Sequence, residues 1–334
     1  MNLGEQLKVL AAGEGFDHCA VASVETLEYG GYFLRWLEEG KQGSMAWLAR
    51  DPLRRLDPAQ VQPGARSVVM LALNYYQDPL PGRGRMARYA LGRDYHDLML
   101  PRLERLASWM EELGGRQRVY VDTGPVLEKV WAARAGLAWQ GKSTMAIHPR
   151  SGTWFFLGTL LTTLAFPPDP PMKDHCGSCT RCIDACPTGA IHAPYQLDAR
   201  RCIAYLTIEH PGDIPEEFRS LIGDRVYGCD DCLEVCPWNR WARATQEAGF
   251  QERPRPDLAE MLDWKPEDFD HHFRGSPVRR LKLPRWKRNL CVVLGNIGTM
   301  SDLPALERAA AGDDPMVARH ARWAVEKLRT QDRS

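Results

Sequence analysis

The spacing of the cysteines constrains this chain more than any other feature of its sequence. A first run, from Cys176 to Pro187, reads C-x2-C-x2-C-x3-C-P. An isolated Cys202 and a second run, C-x2-C-x3-C-P from Cys229 to Pro237, follow it. Three thiolates on one tight loop bind three irons of a [4Fe–4S] cluster, and the fourth cysteine of a run ligates the other cluster. The spacing therefore predicts two clusters that exchange their fourth ligands.

This crossover divides eight of the ten cysteines into two sets. We name them set one, which is Cys176, Cys179, Cys182 and Cys236, and set two, which is Cys186, Cys202, Cys229 and Cys232. Two structural zinc ions are the alternative, but zinc sites commonly use separated C-x2-C pairs. The remaining Cys19 and Cys291 are interpreted as core residues. Because linked clusters carry electrons, we expect a second reactive centre elsewhere in the chain.

The overall composition limits the partners of such a redox protein. The 334 residues are enough for two or three compact units, and no apolar run reaches about 18 residues. With no basic and apolar leader, we expect a cytoplasmic protein without a membrane partner, and a monomer is the simplest state. Lysine plus arginine equals aspartate plus glutamate, 43 against 43, so a nucleic acid would have to bind a local basic patch.

Hydrophobic patterning predicts an α/β or α+β domain before the cysteine runs. Helical stripes are predicted at Leu3–Leu10 and Leu100–Leu113, and Ser67–Asn74 is predicted to be a buried strand. Further strand predictions are Arg118–Asp122, Thr144–His148 and Trp154–Leu164. The proline-rich stretch Phe166–Pro171 is typical of a stiff linker, since it suits neither a helix nor a central strand.

A weak internal repeat marks the end of the chain. Pro284–Leu294 recurs 31 residues later as Pro315–Val325, which indicates stacked helical hairpins of HEAT-like type. Chance similarity between amphipathic helices is the alternative. We therefore expect an α+β protein in three units: an α/β domain at 1–170, a ferredoxin-like dicluster domain at 171–250 and an all-α HEAT-like tail at 251–334.

Five short motifs accompany the cysteine runs in a set order. They are Ala72–Tyr75 (ALNY), Arg88–His96 (RYALGRDYH), Val121–Glu128 (VDTGPVLE), Trp139–Ser143 (WQGKS) and Arg225–Cys229 (RVYGC). Together with the cysteines and the terminal repeat, they make the chain resemble the epoxyqueuosine reductases, the cobalamin-dependent enzymes of the last step of queuosine synthesis in tRNA. Each motif alone is weak, whereas their order is specific.

The resemblance implies a base-off cobalamin in the first domain, in a fold similar to that of reductive dehalogenases. The two clusters would reduce this cobalamin to Co(I), using electrons from an external donor such as a flavodoxin or ferredoxin. The implied substrate is the epoxide of the modified guanosine at the wobble position of the tRNA anticodon stem-loop. Reducing an epoxide to an alkene consumes two electrons and two protons and releases water, so the protein must supply a proton source.

The resemblance also implies roles for individual residues. Asp122 would be the proton donor over the cobalamin, and the alternative for Asp122 or Thr123 is a helix cap before a helix at 126–137. The positions that match cobalamin contacts are Arg55, Ala87, Asp122, Ala146 and Leu157. A surface arginine and core packing are the alternatives for these other positions. Asp94 and His96 would shape the substrate side or lie in a solvated loop.

A basic segment near the C-terminus is the candidate RNA contact. Six cations and no acid lie between residues 279 and 288, and Trp286 could stack on a base. The predicted contacts are Arg279, Arg280, Lys282, Arg285, Lys287 and Arg288. A solvated helix face is the alternative. Two other functions remain open at this point: a reductive dehalogenase-like cobalamin enzyme and a dicluster electron-transfer protein.

Overall fold

The computed structural model describes residues 1–25, 27 and 30–331 and contains both sheet and helix. The strands are β1 His18–Ser23, β2 Ser67–Asn74, β3 Arg85–Met86, β4 Gln117–Tyr120, β5 Trp139–Gln140, β6 Ala146–Ile147, β7 Phe155–Thr162, β8 Ile191–Ala193, β9 Gln196–Leu197 and β10 Arg225–Tyr227. The helices are α1 Leu3–Gly13, α2 Gly30–Glu38, α3 Pro52–Leu56, α4 Pro58–Val61, α5 Tyr95–Glu112, α6 Glu128–Arg134, α7 Arg181–Asp184, α8 Glu216–Ile222, α9 Asp231–Glu234, α10 Leu258–Leu262, α11 Pro266–His272, α12 Lys282–Ile297, α13 Leu303–Ala311 and α14 Pro315–Gln331. Among these described residues, no helix is both long and apolar enough to span a bilayer.

A four-stranded antiparallel sheet with the order β1-β2-β7-β4 forms the centre of the N-terminal half. Its central strand β2 is buried at seven of its eight positions, because both faces of the sheet are covered. One face packs against α1 and α5 through residues such as Leu7 and Leu103. The other face carries small residues, including Ala20 and Ala72, and packs against α6. The continuous apolar run of β2 is what a strand covered on both faces requires.

The predicted elements of this half are present with shifted ends, but the α/β prediction is wrong in one respect, because the sheet is antiparallel and the half is of the α+β type. The strand at Ser67–Asn74 is confirmed, and β7 lies inside the predicted Trp154–Leu164. The predicted helical stripes are partly wrong, since Leu10 and Leu113 are exposed and α1 instead buries Gly4, Leu7 and Ala11. Strand β4 ends at Tyr120, so Asp122 lies in the loop that follows it rather than in the sheet.

The proline-rich stretch at 166–171 has no regular structure, as predicted, but it does not cross open space. Phe166 is buried in the core on the α1 and α5 side of the sheet. The Asp169 carboxylate accepts a hydrogen bond from the backbone N–H of Val21 at 2.9 Å and contacts the ammonium of Lys8. The stretch is therefore fixed along the first sheet.

The C-terminal helices share a core with parts of the other two predicted units. Helices α12, α13 and α14 pack together, with α10 against α12 and α13. The same core includes Met86, Ala90 and Leu91 from the first unit and Val226 from the cysteine-rich segment. Strand β3 pairs in parallel with β10, which joins the two halves through the backbone. The three-unit division stays a prediction, and the packing across its boundaries is extensive.

Candidate functional site

The thiol neighbours of Cys236 are the other members of set one. Burial, together with the nearby thiols Cys176, Cys182 and Cys179, raises the pKa of the Cys236 thiol to about 11. The loop that carries them is tied down by Lys142, whose ammonium donates to the carbonyl oxygens of Gly177 at 2.6 Å and Cys179 at 3.0 Å. This cation therefore lies against set one.

The thiols of set two lie together in a more interior part of the molecule. Burial raises the pKa of Cys232 well above its usual range, and the thiols Cys202, Cys229 and Cys186 add to this effect. Cys202 and Cys229 pack against the C-terminal core, whereas Cys232 packs against the core of the first sheet. Among the described residues, no three His, Cys, Asp or Glu side chains converge closely enough for a single metal ion. A four-iron cluster is ligated at separate irons.

Asp122 occupies an unusual backbone conformation directly after β4. Its φ is +59°, in the left-handed region that costs most residues about 1–3 kcal/mol and that aspartate tolerates better than most. Its side chain is exposed, and the Tyr95 hydroxyl donates to Asp122 Oδ2 at 3.1 Å. The Asp122 backbone N–H donates to Glu128 Oε1 at 3.1 Å. Two side chains thus position this loop and its carboxylate.

The helix-cap alternative for Asp122 and Thr123 is wrong. Helix α6 begins at Glu128, not at residue 126, and Leu127 occupies the N-cap position without a side-chain hydrogen bond. Asp122 lies five residues before that cap, and the Thr123 hydroxyl donates to the carbonyl oxygen of Val121. The strained position of Asp122 therefore has no capping function.

Two charged side chains at the start of α6 lie behind the Asp122 loop. Burial raises the pKa of Glu128 to about 8, and the neighbouring charge of Asp122 also raises it. Burial lowers the pKa of Lys129, while Asp122, Cys232, Glu128 and Cys202 act in the opposite direction. Lys129 is thus close to both the Asp122 loop and set two. The sequence interpretation missed both residues, although Glu128 closes the motif that contains Asp122.

Of the predicted cobalamin contacts, Arg55 lies directly at the Asp122 loop. Its guanidinium donates from Nη1 to the carbonyl oxygen of Gly124 at 3.2 Å and from Nη2 to that of Trp47 at 3.4 Å. Burial lowers the pKa of Arg55, and the charge of Asp122 opposes this. Ala146 and the partly exposed Leu157 belong to the core on the α6 side of the sheet.

Ala87 lies in a different place, beside the loop of Cys229. Its backbone N–H donates to the carbonyl oxygen of Tyr227 at 2.7 Å. A side chain at Gly228 would come within 2.6 Å of the Ala87 Cβ, so glycine is required there, and its φ is +70°. The structure therefore places Ala87 next to set two rather than beside Arg55.

An aromatic wall borders the Asp122 carboxylate, and the sequence interpretation did not single it out. The Tyr95 ring stacks on Phe156 at 4.3 Å between centroids, and the Tyr89 and Tyr227 hydroxyls are 3.4 Å apart. His96 stacks on Tyr95 and places Nδ1 2.8 Å from Asp94 Oδ1. Burial alone would lower the pKa of His96, but Asp94 and Asp122 raise it above its ordinary value. Asp94 and His96 therefore form a dyad beside the Asp122 loop.

The basic segment is not a uniform cationic surface. Trp286 is fully buried against Phe273, so its predicted stacking on a base is wrong. Arg288 is also fully buried and donates to the carbonyl oxygens of Leu206, His210 and Gly212. Its prediction as a phosphate contact is therefore wrong, because these carbonyls of the π-helical turn at 205–209 and the residues after it occupy its guanidinium.

The other cations of the segment differ in their availability. Arg285 is half-buried and donates to the carbonyl oxygens of Leu281, Ile208 and Arg280. Exposed positions are occupied by Arg279, Arg280 and Lys282, while Lys287 is partly buried. Arg280 pairs with Glu209 at 2.8 Å. Burial would lower the pKa of Arg280, but Glu209, Tyr227, Tyr89 and Asp122 raise it, so this arginine faces the Asp122 site.

Comparison with known proteins identifies two segments of the chain. Residues 175–239 match the model described as a 4Fe-4S double cluster binding domain, and residues 55–123 match the model described as "Epoxyqueuosine reductase QueG, DUF1730". The first match covers all eight cysteines of sets one and two. The second contains Arg55, Ala87, Asp94, His96 and Asp122.

Three full-length similarities extend across both segments. The epoxyqueuosine reductase of Xanthomonas campestris pv. campestris is 44% identical over 335 residues, which cover 96% of this chain and 94% of that protein. A solved epoxyqueuosine reductase bound to an epoxyqueuosine-modified tRNA-Tyr stem loop aligns with a TM-score of 0.90 at 32% identity, covering 98% of this chain and 90% of that one. A Bacillus subtilis structure, whose catalytic aspartate loop is swung out of the active site, aligns with a TM-score of 0.89 at 31% identity and the same coverage. The chain therefore belongs to the epoxyqueuosine reductase family.

Proposed function

We propose that this protein reduces the epoxide of epoxyqueuosine at the wobble position of tRNA to the alkene of queuosine. The observation that carries the proposal is the exposed Asp122 carboxylate, held by Tyr95 and Glu128 in a strained loop near set two. The same family includes a protein solved with an epoxyqueuosine-modified stem loop. Catalytic groups are often held in strained backbone by their surroundings.

The reaction determines what this chain must provide. Converting the epoxide to an alkene breaks two C–O bonds and consumes two electrons and two protons, with the oxygen released as water. Set one and set two would each hold one [4Fe–4S] cluster and pass electrons singly from an external donor such as a flavodoxin or ferredoxin. Asp122 would give a proton to the departing oxygen, and Tyr95 would hold the carboxylate in place through its hydroxyl.

Cobalamin is the cofactor that we propose for the site around Asp122. Three residues fit such a group: Arg55 can donate to an amide or phosphate oxygen, Ala146 is small, and Leu157 is the one position of β7 that is not buried. Ala87 stays a predicted contact, next to set two. When bound, cobalamin would supply the reducing metal centre for the two-electron step. The chain would contribute orientation through Arg55 and the proton through Asp122.

The tRNA contact would use the exposed part of the basic segment. Lys282 is exposed, Arg279 is exposed in an ion pair with Asp270 for which a phosphate would compete, and Lys287 is partly exposed. Arg280 faces the Asp122 site. Helices α12 to α14, which we propose to be a short HEAT-like platform, support these residues. Arg285 and Arg288 would act indirectly, because their guanidinium groups hold the chain at residues 206–212 and 280–281.

Complementation tests this function in cells. In a bacterial strain that accumulates epoxyqueuosine because its own reductase is deleted, we expect this gene to restore queuosine, measured by mass spectrometry of digested tRNA. The Asp122→Asn variant should not restore it. Unchanged epoxyqueuosine with a well-expressed wild-type protein would overturn the proposal. Cobalt in the anaerobically purified protein separates an enzyme of this type from a simple dicluster carrier, and loss of tRNA binding on changing Arg279 and Lys282 separates it from a dehalogenase.

A further inference from the structure

The Lys129 side chain on α6 interacts electrostatically with both the Asp122 loop and the cysteines. The charges that act on it belong to Asp122 and Glu128 on one side and to Cys232 and Cys202 on the other. Both cysteines are members of set two, and Met145, whose sulfur contacts the Lys129 ammonium, packs against the same core as Cys232. The sequence interpretation assigned no function to this lysine, and no step of the proposed reaction uses it.

The surroundings of Lys129 are unfavourable for a cation. The only hydrogen-bond partner of its ammonium among the described residues is the thioether sulfur of Met145, at 3.6 Å. Among the described residues, no carboxylate lies within ion-pair distance of the Lys129 ammonium. A partly buried cation without such a partner is costly, so a source of negative charge is needed nearby. A cluster ligated by four thiolates carries net negative charge and would provide it.

We infer that Lys129 is a positioning residue for electron transfer, which raises the reduction potential of the set-two cluster above the value it would have without this cation. The inference rests on the proposed function, because it requires a cluster at set two. When that cluster gains an electron its negative charge increases, and a nearby cation stabilises the reduced form more than the oxidised form. Electrons entering at set one would then be drawn toward the Asp122 site.

The chain offers a matched control for this cation at the other cluster. Lys142 donates to the carbonyl oxygens of Gly177 and Cys179, within the loop of set one. Each set therefore has a neighbouring lysine. If charge rather than packing controls the reduction potentials, replacing Lys129 and replacing Lys142 with neutral residues should shift the potentials of different clusters.

A redox titration of the cluster-loaded protein, followed by electron paramagnetic resonance without added cobalamin or tRNA, tests the inference. We expect Lys129→Met to move one of the two reduction waves to a more negative potential and to leave the other in place. Lys142→Met should move the other wave, and Lys129→Arg should leave both near their wild-type positions. Unmoved waves in Lys129→Met, or the same wave moving in both methionine variants, would overturn the inference.

Two measurements keep the inference separate from the proposed function. Wild-type protein without iron and sulfide for two four-iron clusters would contradict the proposed function itself. If Lys129→Met loses a cluster, the polar variant Lys129→Gln replaces it in the same redox titration. This variant should again move a single reduction wave to a more negative potential. A Gln variant with both clusters and unmoved waves would contradict the inference alone.

Discussion

The carboxyl group of Glu128 accepts a hydrogen bond from the backbone N–H of Asp122, 3.1 Å away, and so connects the first turn of α6 to the strained loop after β4. This bond fixes the peptide that precedes the Asp122 side chain, while the Tyr95 hydroxyl fixes the carboxylate itself. The loop is thus held at two points, and its carboxylate remains exposed.

Replacing Asp122 with Asn should remove the proton donor and leave the loop in place. Asparagine has the same shape and tolerates a φ of +59°, so little added strain is expected. We expect the single-turnover rate of epoxide reduction to fall by about 10²–10⁴-fold, the usual contribution of general acid catalysis. Affinity for the tRNA stem-loop should stay within about twofold, which is well below the tenfold change that corresponds to 1.36 kcal/mol. A variant with the wild-type rate would contradict the role of Asp122.

Removing the Tyr95 hydroxyl tests whether the carboxylate must be oriented. Tyr95→Phe keeps the stacking on Phe156 but loses the hydrogen bond to Asp122. A hydrogen bond to a charged group contributes about 1.5–3 kcal/mol, so we expect a rate about 10–100-fold lower. Tyr89→Phe is the control, because its hydroxyl contacts Tyr227 and not Asp122. Equal losses in both variants would point to the aromatic wall as a whole.

The raised pKa of Glu128 predicts a specific pH dependence of the protein's stability. Its pKa is about 8 in the folded protein and 4.5 as the ordinary value, so unfolding releases its proton between these pH values. The contribution of this group to the free energy of unfolding therefore decreases as pH rises from about 4.5 to 8. We expect the melting temperature of Glu128→Gln to decrease less between pH 5 and pH 8 than that of the wild-type protein, measured by anaerobic thermal denaturation. A Gln variant with the wild-type pH profile would contradict this prediction.

Arg288 should matter for stability and not directly for RNA. Arg288→Met removes the donor from the buried carbonyl oxygen of Leu206 and from the part-buried carbonyl oxygens of His210 and Gly212. A buried unsatisfied group costs about 1–3 kcal/mol, so we expect a destabilisation of about 1–3 kcal/mol in chemical denaturation. The matched control is Arg319, which occupies the equivalent position of the repeat and forms an exposed pair with Asp213. Arg319→Met should have little effect.

The exposed cations predict a salt-dependent loss of tRNA affinity. Replacing Arg279 and Lys282 with Ala should weaken stem-loop binding and reduce the slope of log K against log salt by about 0.7 for each lost phosphate contact. Arg105→Ala, an exposed arginine on α5 that pairs with Glu14, is the control and should change neither quantity. An unchanged slope in the double variant would place the RNA elsewhere.

The sequence was sufficient for features whose chemistry is local. The buried strand at Ser67–Asn74 follows from a continuous apolar run, and the motif at Asp122 marks the loop that the structure places at the site. It was insufficient where burial depends on distant chain segments. Arg288 and Trp286 look like surface residues in a basic run, yet the turn at 205–209 and Phe273 cover them. Tyr227 and Glu209 reach the Asp122 site only through tertiary packing.

The mass of the modified nucleoside tests the central claim most directly. Anaerobically purified protein, loaded with iron, sulfide and cobalamin and reduced by a low-potential donor, is incubated with epoxyqueuosine-containing tRNA. We predict that the digested nucleoside loses the mass of one oxygen atom, and that protein with Cys232→Ser or Asp122→Asn shows little conversion. Nucleoside of unchanged mass, from protein that contains both clusters and cobalamin, would contradict the account.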